Sequence, residues 1–524
     1  MTKNSTSCSK NTRNKLDRRE FIQKTSTVLS GVGLVGPYPF INFSRETADN
    51  LFTLGVASGD PLPDSVVLWT RLAPKPLEGG GMPPESVEVQ WEMATDDTFT
   101  FILKNGTTLA VPEMAHAVHV EVFGLEPSRH YFYRFRVGDQ ISPVGRTKTA
   151  PPYGQDLEEM NFAFASCQNY QSGFYTAYDH MVKEDLDVVF FLGDYIYEGD
   201  GNNESRSHLP AKEITTLNEY RIRYGQYKSD PSLQAAHAAF PWIVTPDDHE
   251  VDNNWGGEGP PYENNEEFLA RRSAAFQAYY EHLPLRKSAM PMNMNIQLFR
   301  RFNFGNLAEF SVLDTRQFRT NFACNDGWKA DCDERLDPAR TMLGMNQENW
   351  LFENLSRSYS RWNILAQQVQ IAEVGREMES KIHYNMDKWS GYAATRQRLF
   401  DTIQSHNISN FVVLTGDSHK NWVNHLLTDF SDPNSQIIGT EFMGTSITSG
   451  GDGYEINDMG YKLMRENPHI KYYNGRRGYV RCRLTPEEMR TEFKLLPFIS
   501  RPDAPIHTDA TYVVKNGVAG AERV

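Results

Sequence analysis

Val189-Phe190-Phe191-Leu192-Gly193-Asp194-Tyr195-Ile196-Tyr197-Glu198 is the stretch on which the fold turns. A short continuous apolar run ends in a glycine and an aspartate, the pattern of a strand buried on both faces that stops and turns sharply. The same pattern recurs three times. Ala163-Phe164-Ala165 leads into Ser166-Cys167-Gln168, and Trp242-Ile243-Val244 leads into Thr245-Pro246-Asp247-Asp248-His249-Glu250. Val412-Val413-Leu414 leads into Thr415-Gly416-Asp417-Ser418-His419. Ligands of open α/β sheets bind just beyond the carboxyl ends of the strands. Four strands are therefore expected to deliver Cys, Asp, Tyr and His to one edge.

Working outward, further apolar runs at Phe310 to Leu313 and Ile364 to Leu365 alternate with amphipathic stretches at Glu266 to His282 and Gln347 to Ser358. These predict an α/β body. Upstream, Leu51 to Thr149 reads as all-β, with alternating runs at Ser65 to Trp69, Val87 to Met93, His119 to Val122 and Tyr131 to Val137. Leu125-Glu126-Pro127 ahead of Tyr131 looks like the tyrosine corner of an immunoglobulin or fibronectin-III-like sandwich. Pro151-Pro152-Tyr153-Gly154 reads as a linker. Tyr479 to Arg483 and Thr491 to Lys494 read as a hairpin. The division expected is a leader over 1–48, a β-sandwich domain over 49–150 and a catalytic domain over 155–515.

The chain has 524 residues, of which 39% are hydrophobic and 12% aromatic, enough to bury a large core and to exclude disorder. Its formal charge of −14 disfavours binding to nucleic-acid backbone, so positive charge for an anionic substrate must come from metal ions or a few Arg and Lys. Arg18-Arg19 ahead of the weakly apolar Thr25 to Gly36 reads as a twin-arginine export signal. No apolar run of about 18 residues follows, so no transmembrane helix is expected. Of five cysteines, Cys8 lies in the signal, Cys324 and Cys332 flank a polar loop and are expected to pair in an oxidising compartment, and Cys482 sits in a strand.

Asp194, Asp248 and Asp417, ionised side by side, would repel by roughly 4 kcal/mol per pair at about 4 Å. Cations are the economical remedy. Cys and Tyr with Asp and His make an anionic donor set that favours ferric iron, whereas an oxygen-rich set of Asp194, Asp248 and Asp417 suits Ca, Mn or Mg. Two ions roughly 3.5–4 Å apart activate a bridging hydroxide for attack on a phosphoryl group. His249 would then hydrogen-bond the transition state or protonate the leaving oxygen. Taken singly each feature has a plainer reading: Asp247-Asp248 as a helix cap, Cys167 as a core residue.

Gly193-Asp194-x-x-Tyr197 is similar to the iron-binding motif of purple acid phosphatases, with Asp248-His249-Glu250 and Asp417-x-His419 in place of their later motifs. Across nearly its whole length the chain resembles the PhoD-type alkaline phosphatases. The resemblance rests on Ser58-Gly59-Asp60-Pro61, Phe164-Ala165-Ser166-Cys167-Gln168, Asp247 to Trp255, Leu313-Asp314-Thr315-Arg316, Met342-Leu343-Gly344, Gln347 to Leu351 and Leu414 to His419. It implies a four-layer α/β/β/α metallophosphoesterase sandwich behind a β-sandwich domain. It also implies Fe3+ held by Cys167, Asp194, Tyr197 and His419, Ca2+ held by Asp194, Asp248 and Asp417, and activity on phosphate mono- and diesters. Asn253 would help bind calcium or phosphate, with a helix-surface role as its alternative. Arg316 would touch substrate phosphate, with a structural salt bridge as its competing role. The chain departs from purple acid phosphatases in lacking a further strand-end His; Gln367 or Gln368 holds the comparable place, as a weak oxygen ligand or as a plain strand-end residue.

The function expected is thus a secreted or periplasmic alkaline phosphatase and phosphodiesterase, a monomer that meets the export machinery and small phosphate esters as partners. A phospholipase D-like or nucleotide-directed phosphodiesterase on the same site is the nearest alternative. A secreted Ca-binding adhesion protein is the alternative from another class, and it leaves Cys167 and Tyr197 without a use.

Overall fold

Successive residues of a strand point to opposite faces, and the apolar runs use both. Along Val188–Phe191, Val188 and Phe190 pack into one core while Val189 and Phe191 pack into another. The computed structural model describes residues 50–201, 205–257, 265–292 and 294–524. The leader and its Arg18-Arg19 pair lie outside them.

Two large sheets carry the molecule. The ten-stranded one has Met160–Ala165, Val188–Phe191 and Pro241–Val244 side by side and parallel. The antiparallel C-terminal hairpin Arg477–Leu484 and Glu488–Leu496 flanks them, as the alternation there predicts. The seven-stranded sheet sets Ala308–Val312, Trp362–Ala366, Phe411–Thr415 and Ile437–Met443 parallel in that order. Inner faces of the two sheets share one core, where Phe190 stacks on Phe310 at 4.5 Å between ring centroids and Phe162 meets Phe310 edge-on at 5.3 Å. Such pairs contribute about 0.5–1.5 kcal/mol beyond the area they bury.

The outer face of the ten-stranded sheet, through Val189, Phe191, Trp242 and Val244, packs on residues of helices Leu217–Lys228, Pro231–Ala239 and Asn265–His282. Asp230 caps the second of these, accepting from the backbone N–H groups of Ser232 and Leu233. The outer face of the seven-stranded sheet packs on helices Gly344–Ser356 and Ala393–Ser405.

The N-terminal region is all-β, but its strands divide. Val87–Ala94, Ile102–Ala110 and His130–Val137 form a five-stranded sheet with two short strands. Val56–Leu62, Ser65–Arg71 and Ala117–Phe123 instead extend the ten-stranded sheet, since Ser58 and Gly59 pair in parallel with Pro241 and Trp242. Gly59 is required at that seam: a Cβ there would lie 2.5 Å from the carbonyl oxygen of Pro284. Tyr131 makes the corner its sequence suggests, its hydroxyl accepting from the backbone N–H of Glu126 at 2.9 Å. Cys324 and Cys332 form a disulfide, and Cys482 is a free, buried core residue.

Candidate metal centre

Parallel register brings the strand ends level. Phe191 lies opposite both Ala165 and Val244, and Ala366 opposite Leu414. A bridge between Ser166 and Ser446 joins the two sheets at this edge. The chain then turns at once. Cys167, Asp194, Asp417 and His419 all have left-handed backbone, at φ 59°, 57°, 63° and 55°. A non-glycine residue pays roughly 1 kcal/mol or more for that conformation, and such strain clusters at functional sites. Gly193 precedes Asp194 at φ 105°, and a Cβ on it would stand 2.4 Å from the Cβ of Asp247. The turns lock together through Cys167 N–H to Gly193 O and Gln168 N–H to Asp194 O, each 3.0 Å.

Three overlapping donor groups result. Cys167, Asp194 and His419 bring ligand atoms within 4.8 Å of one another, as do Asp194, Asp248 and His249, and Asp247, Asp248 and Asp417. Asp194 joins the first two groups, and Asp248 the last two. The Tyr197 hydroxyl lies 2.9 Å from Asp194 Oδ2 and 3.0 Å from His419 Nε2, so Tyr197 belongs to the first. Seven of the residues singled out by sequence are thereby brought together: Cys167, Asp194, Tyr197, Asp248, His249, Asp417 and His419. Asp247 adds itself to the oxygen-rich end, where its Oδ2 is buried without a hydrogen-bond partner among the described residues. An orphaned buried carboxylate oxygen beside two more aspartates is what a cation would satisfy, and the donor set as a whole fits the two-ion arrangement.

The electrostatics point the same way. Burial, with Asp248, Glu250 and Asp417 nearby, holds the Asp194 carboxyl well above its usual range against the pull of His249. Burial and the Asp194 charge do the same to the Cys167 thiol and the Tyr197 phenol. Burial also raises Asp417. Asp248 is the exception: burial pushes it up, but Arg316 and His249 outweigh that and leave it at about 2. Without a cation, most of the acidic donors are driven toward their neutral forms.

His249 keeps its side chain 20% exposed. Its Nδ1 meets Glu198 Oε2 at 2.7 Å, and its ring stacks on Tyr197 at 4.2 Å between centroids. Burial pulls its pKa down, but Glu198, Asp248 and Asp194 together hold it well above the ordinary value. Asn253 donates its backbone N–H to Glu198 Oε1, while its side chain is exposed. Arg316 makes the salt bridges of its competing role. It is fully buried, bonded to Asp247 at 2.5 Å and Asp387 at 2.6 Å, and 3.5 Å from both Asp248 and Asp417. Gln367 and Gln368 are strand-end residues: Gln368 bonds Thr245 and Thr315, and Gln367 bonds Thr415.

Sequence reasoning missed several partners. Glu198 was adjacent to a recognised motif but carried no pairing signal. Lys388, 16% exposed, pairs with Asp417 and reaches Asp387 at 3.1 Å from a loop that no periodicity marks. Ser449 donates to the Tyr197 hydroxyl at 2.6 Å from a turn more than two hundred residues away.

Residues 162–493 match the family described as PhoD-like phosphatase, and residues 39–151 match its N-terminal domain. Over 523 residues the chain is 50% identical to alkaline phosphatase D of Bacillus subtilis (strain 168), a match covering 98% of this chain and 90% of that one. A solved structure of PhoD, 51% identical, matches with a TM-score of 0.90 over 92% of this chain and 93% of its own. With both its parts matched and the strand-edge donor cluster in place, the chain belongs to the PhoD-like phosphatase family and is a phosphoric ester hydrolase.

Proposed function

We propose that this protein hydrolyses phosphate mono- and diesters at a two-metal centre. In this reading Cys167, Asp194, Tyr197 and His419 hold Fe3+, and Asp194, Asp248 and Asp417 hold Ca2+. The observation that carries it is the chain of three donor groups linked through Asp194 and Asp248. A thiol and a phenol at one end and only carboxylates at the other favour two different ions.

When bound, the cations neutralise charge on the phosphoryl oxygens and lower the pKa of the attacking water. The chain's own residues do the rest. Glu198 occupies Nδ1 of His249, so the proton that His249 transfers is the one on Nε2. The Glu198 carboxylate on Nδ1 favours the charged imidazole, as a general acid for the departing ester oxygen requires. As the water oxygen bonds to phosphorus and the ester P–O bond breaks, the leaving oxygen takes this proton. Tyr197 fixes the plane of the ring by stacking. Arg316 counters the charge of Asp247, Asp248 and Asp387 from beneath. Lys388, 16% exposed where Arg316 is fully buried, is the cation more open to a phosphate oxygen, and Asn253 remains a candidate contact for substrate or calcium.

We extend the proposal to the whole chain. Residues 1–48 are an export leader of twin-arginine type, and the protein works as a monomer in the periplasm or medium on small phosphate esters. Residues 49–150 are an immunoglobulin or fibronectin-III-like sandwich, and residues 155–515 a four-layer α/β/β/α catalytic domain. The Tyr131 corner and the three cores stacked across the two sheets support this. Among the described residues no helix is long and apolar enough to cross a membrane.

Replacing Asp194 by Ala tests the proposal, since this residue belongs to both ends of the cluster. The variant is expected to lose both ions, by elemental analysis, and all hydrolysis. Hydrolysis retained at the wild-type rate with metal still bound would sink the assignment.

A further inference from the structure

The loop closed by Cys324 and Cys332 contributes no ligand, yet it connects to both ends of the oxygen-rich group. One arm runs through Asp326. Its Oδ2 accepts from Asn254 Nδ2 at 2.9 Å, and the backbone N–H of Asn254 donates to Asp248 Oδ2 at 2.7 Å. The other arm runs through the next residues. Gly327 O accepts the Met386 N–H at 2.9 Å, and Trp328 and Lys329 pair with Asn385 and Tyr384 in a short antiparallel ladder. Asn385 accepts the Asp387 N–H at 2.9 Å, and Asp387 meets Lys388, which pairs with Asp417.

The loop is poorly suited to hold this shape unaided. Cys324, Asn325 and Asp326 lie in the left-handed region one after another, at φ 50°, 61° and 40°, a sequence of conformations that non-glycine residues resist. Asp326 Oδ1 is buried without a hydrogen-bond partner among the described residues. A carboxylate in that position gains by turning out to water unless its backbone is held. The crosslink holds it, with Ala323, Cys332 and Met386 packed together beneath.

We propose that the Cys324–Cys332 disulfide is a brace that positions Asp248 and Asp417 through Asp326 and Met386. The oxygen-rich half then takes its divalent cation with full affinity only when the loop is closed, and the Cys167–His419 half does not depend on it. This rests on the two-ion reading above. Outer-sphere partners of metal ligands commonly change affinity by about 10–100-fold, and a brace two bonds removed belongs at the lower end of that range.

The test uses the full-length chain stripped of calcium, with Ca2+ as the probe in a calorimetric titration. Wild type is compared with Asp326→Ala and with Cys324→Ser/Cys332→Ser, and iron content is measured alongside. The brace predicts that both variants bind Ca2+ roughly tenfold more weakly while keeping wild-type iron. Should the double variant fail to fold, Asp326→Ala, which alters one loop side chain, carries the test. Wild-type affinity in Asp326→Ala overturns the brace, as does loss of iron together with calcium. A wild-type protein that takes up iron but no Ca2+ overturns the two-ion reading, and the brace with it.

Discussion

His249 is held by a carboxylate at Nδ1 and by the ring of Tyr197 on its face, and both constraints aim one nitrogen at the space beside Asp194 and Asp248. If it protonates the leaving oxygen, its removal harms poor leaving groups most. His249→Asn is expected to lower kcat for an alkyl phosphate by roughly 10²–10⁴-fold and for a nitrophenyl ester by much less, with metal content unchanged. Equal losses on both substrates would assign it to binding instead. Tyr197 carries a separate prediction. As a phenolate on ferric iron it gives a broad visible absorption; Tyr197→Phe keeps the stacking ring, folds, and loses that band. A band that persists would remove Tyr197 from the ligand set. Asp194 and Tyr197 were legible in the sequence because they share one short turn after one apolar run. The pairing of His249 with Glu198 was not, since the two lie fifty-one residues apart and meet only when neighbouring strands end level.

At the scale of elements, the strand-end turns fix where the donors point, and Gly193 is the tightest of them. A methyl group there would meet the Cβ of Asp247 at 2.4 Å, which no side-chain rotation relieves, and φ 105° adds backbone strain. Gly193→Ala is expected to cost about 2–4 kcal/mol and to empty the centre, seen as a lower Tm with lost metal. A variant with wild-type Tm and full metal content would show that the turn has slack. The strands themselves were readable, because runs buried on both faces announce themselves by composition; Phe162 to Ala165 and Val188 to Leu192 fall within a residue or two of the strands found. What composition cannot carry is partnership. Nothing local in Ser58-Gly59 says that it will pair with Pro241-Trp242, so the join between the N-terminal strands and the ten-stranded sheet was not legible. Lys388 and Ser449 were missed for the same reason: each is defined by what folding brings opposite it.

For the whole molecule, the acid cluster makes stability depend on pH in a way that metal should reverse. Burial raises Glu250 from its ordinary value of 4.5 to about 8, and it raises Asp194 and Asp417 as well. An acid whose pKa is higher folded than unfolded favours folding most while protonated. The metal-free protein is therefore expected to lose stability as pH rises from about 4.5 through about 8, by at most about 1.4 kcal/mol per pH unit for each such group. Asp248 acts oppositely, its contribution present above about pH 4 and lost only as pH falls through about 2. Calorimetry on metal-free and metal-loaded protein at pH 5 and 9 checks this. The metal-free form should melt lower at pH 9 than at pH 5, and the loaded form should be nearly level; a metal-free form that is more stable at pH 9 would contradict the account. The central claim is that two unlike ions sit along one line of donors, and the metal content of the folded protein tests it most directly. Elemental mass spectrometry should find near-stoichiometric iron together with calcium. Folded protein that hydrolyses phosphate esters with no bound metal, or with zinc or manganese alone, would contradict it.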